Sequence, residues 1–122
     1  MRKLCILVLT AGMAAPWARP SQAGEALKSA TLEGEVLDLA CYMAHEGRGK
    51  KHAKCAKQCA LAGSPIGLLA KDSRVYLLVD DHNQKKAFEE AKKLAGEDVR
   101  VTGKLATRGG VAAVIVERVE RR

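Results

Sequence analysis

The stretch Ala30-Thr-Leu-Glu-Gly-Glu-Val-Leu-Asp-Leu-Ala-Cys-Tyr42 decides the reading of the fold. Apolar and polar residues alternate through Leu32, Gly34 and Val36, and the phase then changes at Leu37 and Leu39. Period-two alternation is the mark of a half-buried strand. A change of phase within one run fits a strand that bends or bulges, with Gly34 at the bend. The stretch is therefore expected to be a long first strand that delivers Cys41 at its end.

Further along, residues 43–51 contain Gly47 and Gly49 and read as a loop. The Ala-rich residues 52–62 read as a short helix stopped by Gly63 and Pro65, with no Ser, Thr, Asp or Asn ready as its N-cap. Two short apolar runs at 66–70 and 74–79, separated by Lys71-Asp72-Ser73, predict a hairpin. Asp81 and Gln84 resemble a capping box opening a helix whose apolar positions Ala87, Phe88, Ala91, Leu94 and Ala95 keep helical spacing up to Gly96. Residues 99–105 and 111–116 flank Gly109-Gly110 and predict a second hairpin.

The resulting order is strand, inserted helix, strand, strand, helix, strand, strand. Five strands with the main helix between the third and fourth is the order of the OB-fold, a Greek-key barrel. The expected class is thus mainly β with α: a five-stranded OB-like barrel carrying a short Cys/His helix between strands 1 and 2. Leu32 to Ala40 and the run Leu94-Ala-Gly-Glu-Asp-Val-Arg-Val-Thr-Gly-Lys-Leu105 resemble the first strand and the helix-to-fourth-strand segment of small exported bacterial OB-fold proteins. Residues 41–67 are similar to a Cys/His-bearing insertion in secreted proteins of that kind. The resemblance implies the fold and carries no activity with it.

At the N-terminus, Arg2 and Lys3 precede an apolar run from Leu4 to Ala15, and Ser21-Gln22-Ala23 offers small residues suited to signal peptidase. Residues 1–23 are expected to be a signal peptide and residues 24–122 a single OB-like domain, exported to the periplasm or secreted. The apolar run is well short of the roughly 20 residues that span a bilayer. Three of the 21 basic residues lie within the expected signal, so the net charge would fall from +7 to +4 on cleavage. Much of what remains basic is local: Arg48, Lys50, Lys51, Lys54 and Lys57 surround the cysteines. Such cations are expected to favour thiolate over thiol.

Five residues concentrate the chemistry: Cys41, His45, His52, Cys55 and Cys59. At ~100° per residue, His52, Cys55 and Cys59 fall on one stripe of a helix. Cys41, His52, Cys55 and Cys59 would form a Cys₃His shell of the kind that suits a tetrahedral zinc ion. Soft thiolates, with the thioether of Met43 nearby, equally suit copper(I). Met43 is more simply explained as packing, and His45 and His82 as polar loop residues. The expected partner is a metal ion, with an envelope protein as a second.

Other chemistries fit less well. Covalent haem c calls for Cys-x-x-Cys-His, which the chain lacks, and an iron–sulfur cluster usually takes more cysteines. No Gly-x-Ser-x-Gly elbow is present for hydrolysis, and Tyr42, Tyr76 and Phe88 are few aromatics for a single-strand platform. A closed four-ligand shell leaves no position for reacting water, so the expectation is a binding protein and not an enzyme. The competing reading is a disulfide, since exported cysteines meet an oxidising compartment. A bridge from Cys41 to Cys55 or Cys59 would leave an odd thiol. A third reading is a thiol-redox or partner-binding envelope module, although the Cys-x-x-Cys of thioredoxin-like proteins is missing.

Overall fold

Eleven residues, Lys28–Asp38, form the first strand β1, which is long enough to pair on both sides. Its first part runs antiparallel to β4 (Asp98–Arg108), with Lys28 opposite Leu105 and Glu35 opposite Asp98. Its second part runs antiparallel to β2 (Ile66–Ala70), with Gly34 opposite Ala70 and Asp38 opposite Ile66. The strand passes from one partner to the other at Gly34. A Cβ there would stand 2.1 Å from the Leu69 carbonyl oxygen, so only glycine allows so close an approach.

A computed structural model describes residues 27–122. β2 turns into β3 (Val75–Val79), β3 lies parallel to β5 (Val111–Arg121), and β5 pairs antiparallel with β4. The order β1-β2-β3-β5-β4 closes into a barrel, which is OB-like as the sequence indicated. The expected signal peptide at 1–23 lies outside the described residues. Among the described residues, no helix is long and apolar enough to cross a membrane.

The barrel is filled from alternate positions of its strands, as the period of two requires. Val36, Ile66, Leu68, Leu78, Val99, Val101, Val114 and Val116 are buried together. Each such side chain contributes about 1.5–3 kcal/mol of apolar burial. Helix α3 (Lys86–Lys93) sets Ala91, with Leu94 and Ala95 beyond its end, against this core. The expected apolar face is therefore in place, whereas the capping box is not. The helix begins at Lys86, and Asp81 instead closes a turn by accepting from the Asn83 amide at 2.9 Å. The Gln84 side chain donates away, to the Glu117 carbonyl at 3.1 Å.

β4 and β5 run longer than their apolar cores suggested, because they are joined by Gly109 and Gly110 alone, both at positive φ (56° and 82°). Two such residues form the tight turn whose twist matches a hairpin.

The largest correction concerns the segment between β1 and β2. It carries two helices, α1 (Leu39–His45) and α2 (Ala53–Leu61), in place of a strand end, a loop and one helix. The phase change at Leu37 and Leu39 marks the end of the strand and not a bend in it. Asp38, fully buried, is the N-cap of α1 and accepts from the amides of Ala40 at 3.2 Å and Cys41 at 3.4 Å. Cys41 accordingly sits in the first turn of a helix. Residues 43–51 divide between the rest of α1 and a turn that begins with Glu46 in the left-handed region, at φ 55°.

Candidate metal centre

α1 and α2 are bound to each other as well as to the barrel. Leu39 donates its amide to the Pro65 carbonyl at 2.9 Å, and Ser64 donates its amide to the Cys59 carbonyl at 2.9 Å. The Ser64 hydroxyl donates to the Asp38 carboxylate that caps α1. The start of α1 is thereby tied to the end of α2, which carries Cys41 towards Cys59. α2 itself is seated by buried Ala56 and Ala60 and by Gly96. A Cβ on Gly96 would lie 2.4 Å from the Ala53 Cα, so a glycine there lets the helix settle on the turn before β4.

The result brings the Sγ atoms of Cys41, Cys55 and Cys59 within 4.8 Å of one another. All three thiols are free; Cys55 is exposed and the other two are partly buried. Sulfurs around a tetrahedral ion with bonds of about 2.3 Å stand about 3.8 Å apart. The three sulfurs are at most about 1 Å wider than that spacing. The fold thus presents a set of donors that can hold a metal ion.

The histidines arrange themselves differently from the helical stripe. His52 is the N-cap residue of α2, and its imidazole groups with His45 and Cys41, the ligand atoms of those three again lying within 4.8 Å of one another. The two rings meet edge to face at a centroid separation of 5.6 Å. His45, which reads in sequence as a polar loop residue, is the last residue of α1 and belongs to this group. His52 Nε2 is, among the described residues, the buried side-chain polar atom left without a hydrogen-bond partner. Such an orphan costs free energy unless something binds it. Met43 is 78% exposed and belongs to neither group, and His82 stands apart beside Asp80 at 3.9 Å.

Gly47 was not singled out by spacing, yet it shapes this corner. A Cβ there would meet His52 Nε2 at 2.7 Å and His45 Nε2 at 3.1 Å. The sequence signal available for it was its place between the two histidines in a Gly-rich turn. Asp38 and Ser64 were missed for a different reason: their importance depends on a helix that the strand-like alternation concealed.

The electrostatics also differ from expectation. The basic residues around the cluster do not make Cys41 or Cys59 acidic. Cys41 is pushed up to about 12, first by its hydrogen bond to Asp38, then by burial, the Asp38 charge and the neighbouring thiolates. Cys59 is also raised, by burial and by its contact with Cys55. Burial opposes ionisation of Asp38, but hydrogen bonds from the Cys41 thiol, the Ser64 hydroxyl and the Ala40 and Cys41 amides outweigh it and hold the carboxyl below its ordinary value. Lys57, one of the expected cations, is engaged with Glu97 at 3.3 Å.

Comparison with known proteins leaves the site to be read from its own chemistry: no family model, curated protein or solved structure matches the chain.

Proposed function

We propose that this chain is a small exported OB-fold protein of the bacterial envelope that binds a transition-metal ion, zinc or copper(I), through Cys41, Cys55 and Cys59 with His52 as the fourth ligand. The observation that carries the reading is the convergence of three free sulfurs within 4.8 Å of one another at the junction of two helices. His52 supports it with a buried Nε2 that has no hydrogen-bond partner and that groups with Cys41, the cysteine shared with the sulfur set. Thiolate sulfur and imidazole nitrogen together select zinc and copper over hard ions such as magnesium or calcium.

A shell of four protein ligands has no vacant position at which water or substrate could react, so the role is to hold, store or hand on the ion. The raised pKa values of Cys41 and Cys59 disfavour those two residues as exchanging thiolates, because exchange proceeds through the thiolate. Export would follow cleavage after Ala23, and the ion would then be taken up or delivered outside the cytoplasm. An envelope protein is the natural recipient or donor.

The test is the metal content of the protein purified under anaerobic conditions, set beside that of Cys41→Ser, Cys55→Ser and Cys59→Ser. Stoichiometric zinc or copper in the parent and its loss from each variant is the expected result. A parent free of zinc and copper, with thiols that reduce and reoxidise as a pair, would move the assignment to a disulfide-stapled or redox module.

A further inference from the structure

Five donor atoms meet at this junction, one more than a single tetrahedral ion can use. They fall into two triads, Cys41/Cys55/Cys59 and Cys41/His45/His52, and the Cys41 Sγ belongs to both. We propose that the centre accommodates two copper(I) ions, one in each triad, with the Cys41 thiolate bridging them. The inference rests on the metal-binding reading above and adds the stoichiometry, the oxidation state and the part of His45.

The geometry favours this arrangement in three ways. First, each triad is already gathered within 4.8 Å, so neither ion needs a donor from the other side of the cluster. Three donors complete a trigonal shell, which copper accepts, one of its familiar forms being two imidazoles with one thiolate. Two zinc ions in the same five donors would each have three protein ligands and need water to complete a tetrahedral shell, whereas the trigonal set is already complete for copper(I). Second, the histidine triad has its own cradle. The rings of His45 and His52 stand edge to face, His52 Nε2 is buried without a partner, and the missing side chain of Gly47 leaves the space beside both Nε2 atoms open. A cradle of this kind has no use if His52 alone serves a single ion on the sulfur side.

Third, charge accumulates on the sulfur side. Three thiolates with a single monovalent ion would leave two net negative charges beside the buried Asp38 carboxylate. A second monovalent ion halves that excess, and the thiol protons are released to solvent as the ions bind. With one ion bound, His52 completes its shell; when the second arrives, His52 turns to it together with His45.

The experiment is an anaerobic titration of the reduced, metal-free mature chain with copper(I) supplied as its acetonitrile complex, followed by native mass spectrometry and copper X-ray absorption. Two ions in the parent, a copper–copper vector in the two-ion form, and one ion in His45→Ala are expected. His45 is exposed at the end of α1, and an unchanged circular dichroism spectrum of His45→Ala would show the barrel intact. Saturation of the parent at one ion overturns the two-ion centre while leaving the metal-binding reading standing. Two ions retained by His45→Ala, or two ions without a copper–copper vector, overturn the bridged assignment. Failure of the parent to bind any copper or zinc overturns both readings at once.

Discussion

The Ser64 hydroxyl donates to the carboxylate of Asp38, joining the residue that caps α1 to the turn that ends α2. Asp38 is fully buried and Ser64 follows Cys59 by five residues, so this hydrogen bond sets the distance between the helix that carries Cys41 and the helix that carries Cys55 and Cys59. The candidate metal centre is in this sense built on a helix cap. Asp38→Ala removes the cap, worth about 1 kcal/mol. It also strands the Ser64 hydroxyl, at a further cost of roughly 1–3 kcal/mol. Urea denaturation of the metal-free protein should show its midpoint lowered accordingly with little change in slope, and Asp38→Asn, which keeps an acceptor, should lose less.

Gly47→Ala tests the histidine corner without touching a ligand. Gly47 is not at positive φ, so alanine is admitted by the backbone, but its methyl group would press on His52 Nε2 from 2.7 Å. Displacing an imidazole in this way should weaken metal binding roughly tenfold or more. Competition against a chromophoric chelator reads that loss directly, while the thermal midpoint of the metal-free protein should stay close to that of the parent.

Metal uptake should release protons. Cys41 and Cys59 are protonated at neutral pH, their pKa values being raised by the Asp38 hydrogen bond and by burial respectively, and a metal binds the thiolate. Affinity is therefore expected to rise with pH throughout the range below those pKa values. Isothermal titration in buffers of different ionisation enthalpy counts the protons: two or more per first ion is the expected value, and none would mean that these thiols are not the ligands.

Acid sensitivity has its source on the opposite flank of β1. Glu33 pairs with Lys71 at 2.5 Å and Arg100 at 2.8 Å. The Lys71 hydrogen bond first and the Arg100 hydrogen bond second take its carboxyl from 4.5 to about 2, against an opposing effect of burial and with the Arg122 and Lys71 charges assisting. A carboxyl depressed in the folded state stabilises the fold fully above its ordinary pKa, and this contribution disappears as pH falls through the folded value. The thermal midpoint of Glu33→Gln should lie below that of the parent above about pH 4.5, and the two curves should converge near pH 2. The same pairs are exposed enough that salt should narrow the gap.

The barrel is legible in the sequence because its signals are local and independent. Gly109-Gly110 fixes one hairpin, the apolar residues at 66–70 and 75–79 another, and the Ala87 to Ala95 spacing allows only a helix between them. The segment that carries the site is harder, for a physical reason. From Val36 through Leu39 the apolar residues satisfy a strand's period and a helix's period equally, so the place where β1 becomes α1 depends on Asp38 acting as a cap. Once Asp38 is assigned that role, Cys41 moves from a strand end to a helix and His45 from a loop to the end of the same helix. The cysteines can be found from composition and compartment, but the grouping of His52 with His45 across Gly47 depends on the turn between two helices, which no periodicity encodes.

Metal binding by Cys41, Cys55 and Cys59 is decided by the intact mass of the mature protein purified anaerobically. The expected result is a native mass carrying bound zinc or copper, with the denatured chain at its fully reduced mass. A metal-free native mass with the denatured chain lighter by about two hydrogens would contradict it, and would make this junction a disulfide staple on the barrel.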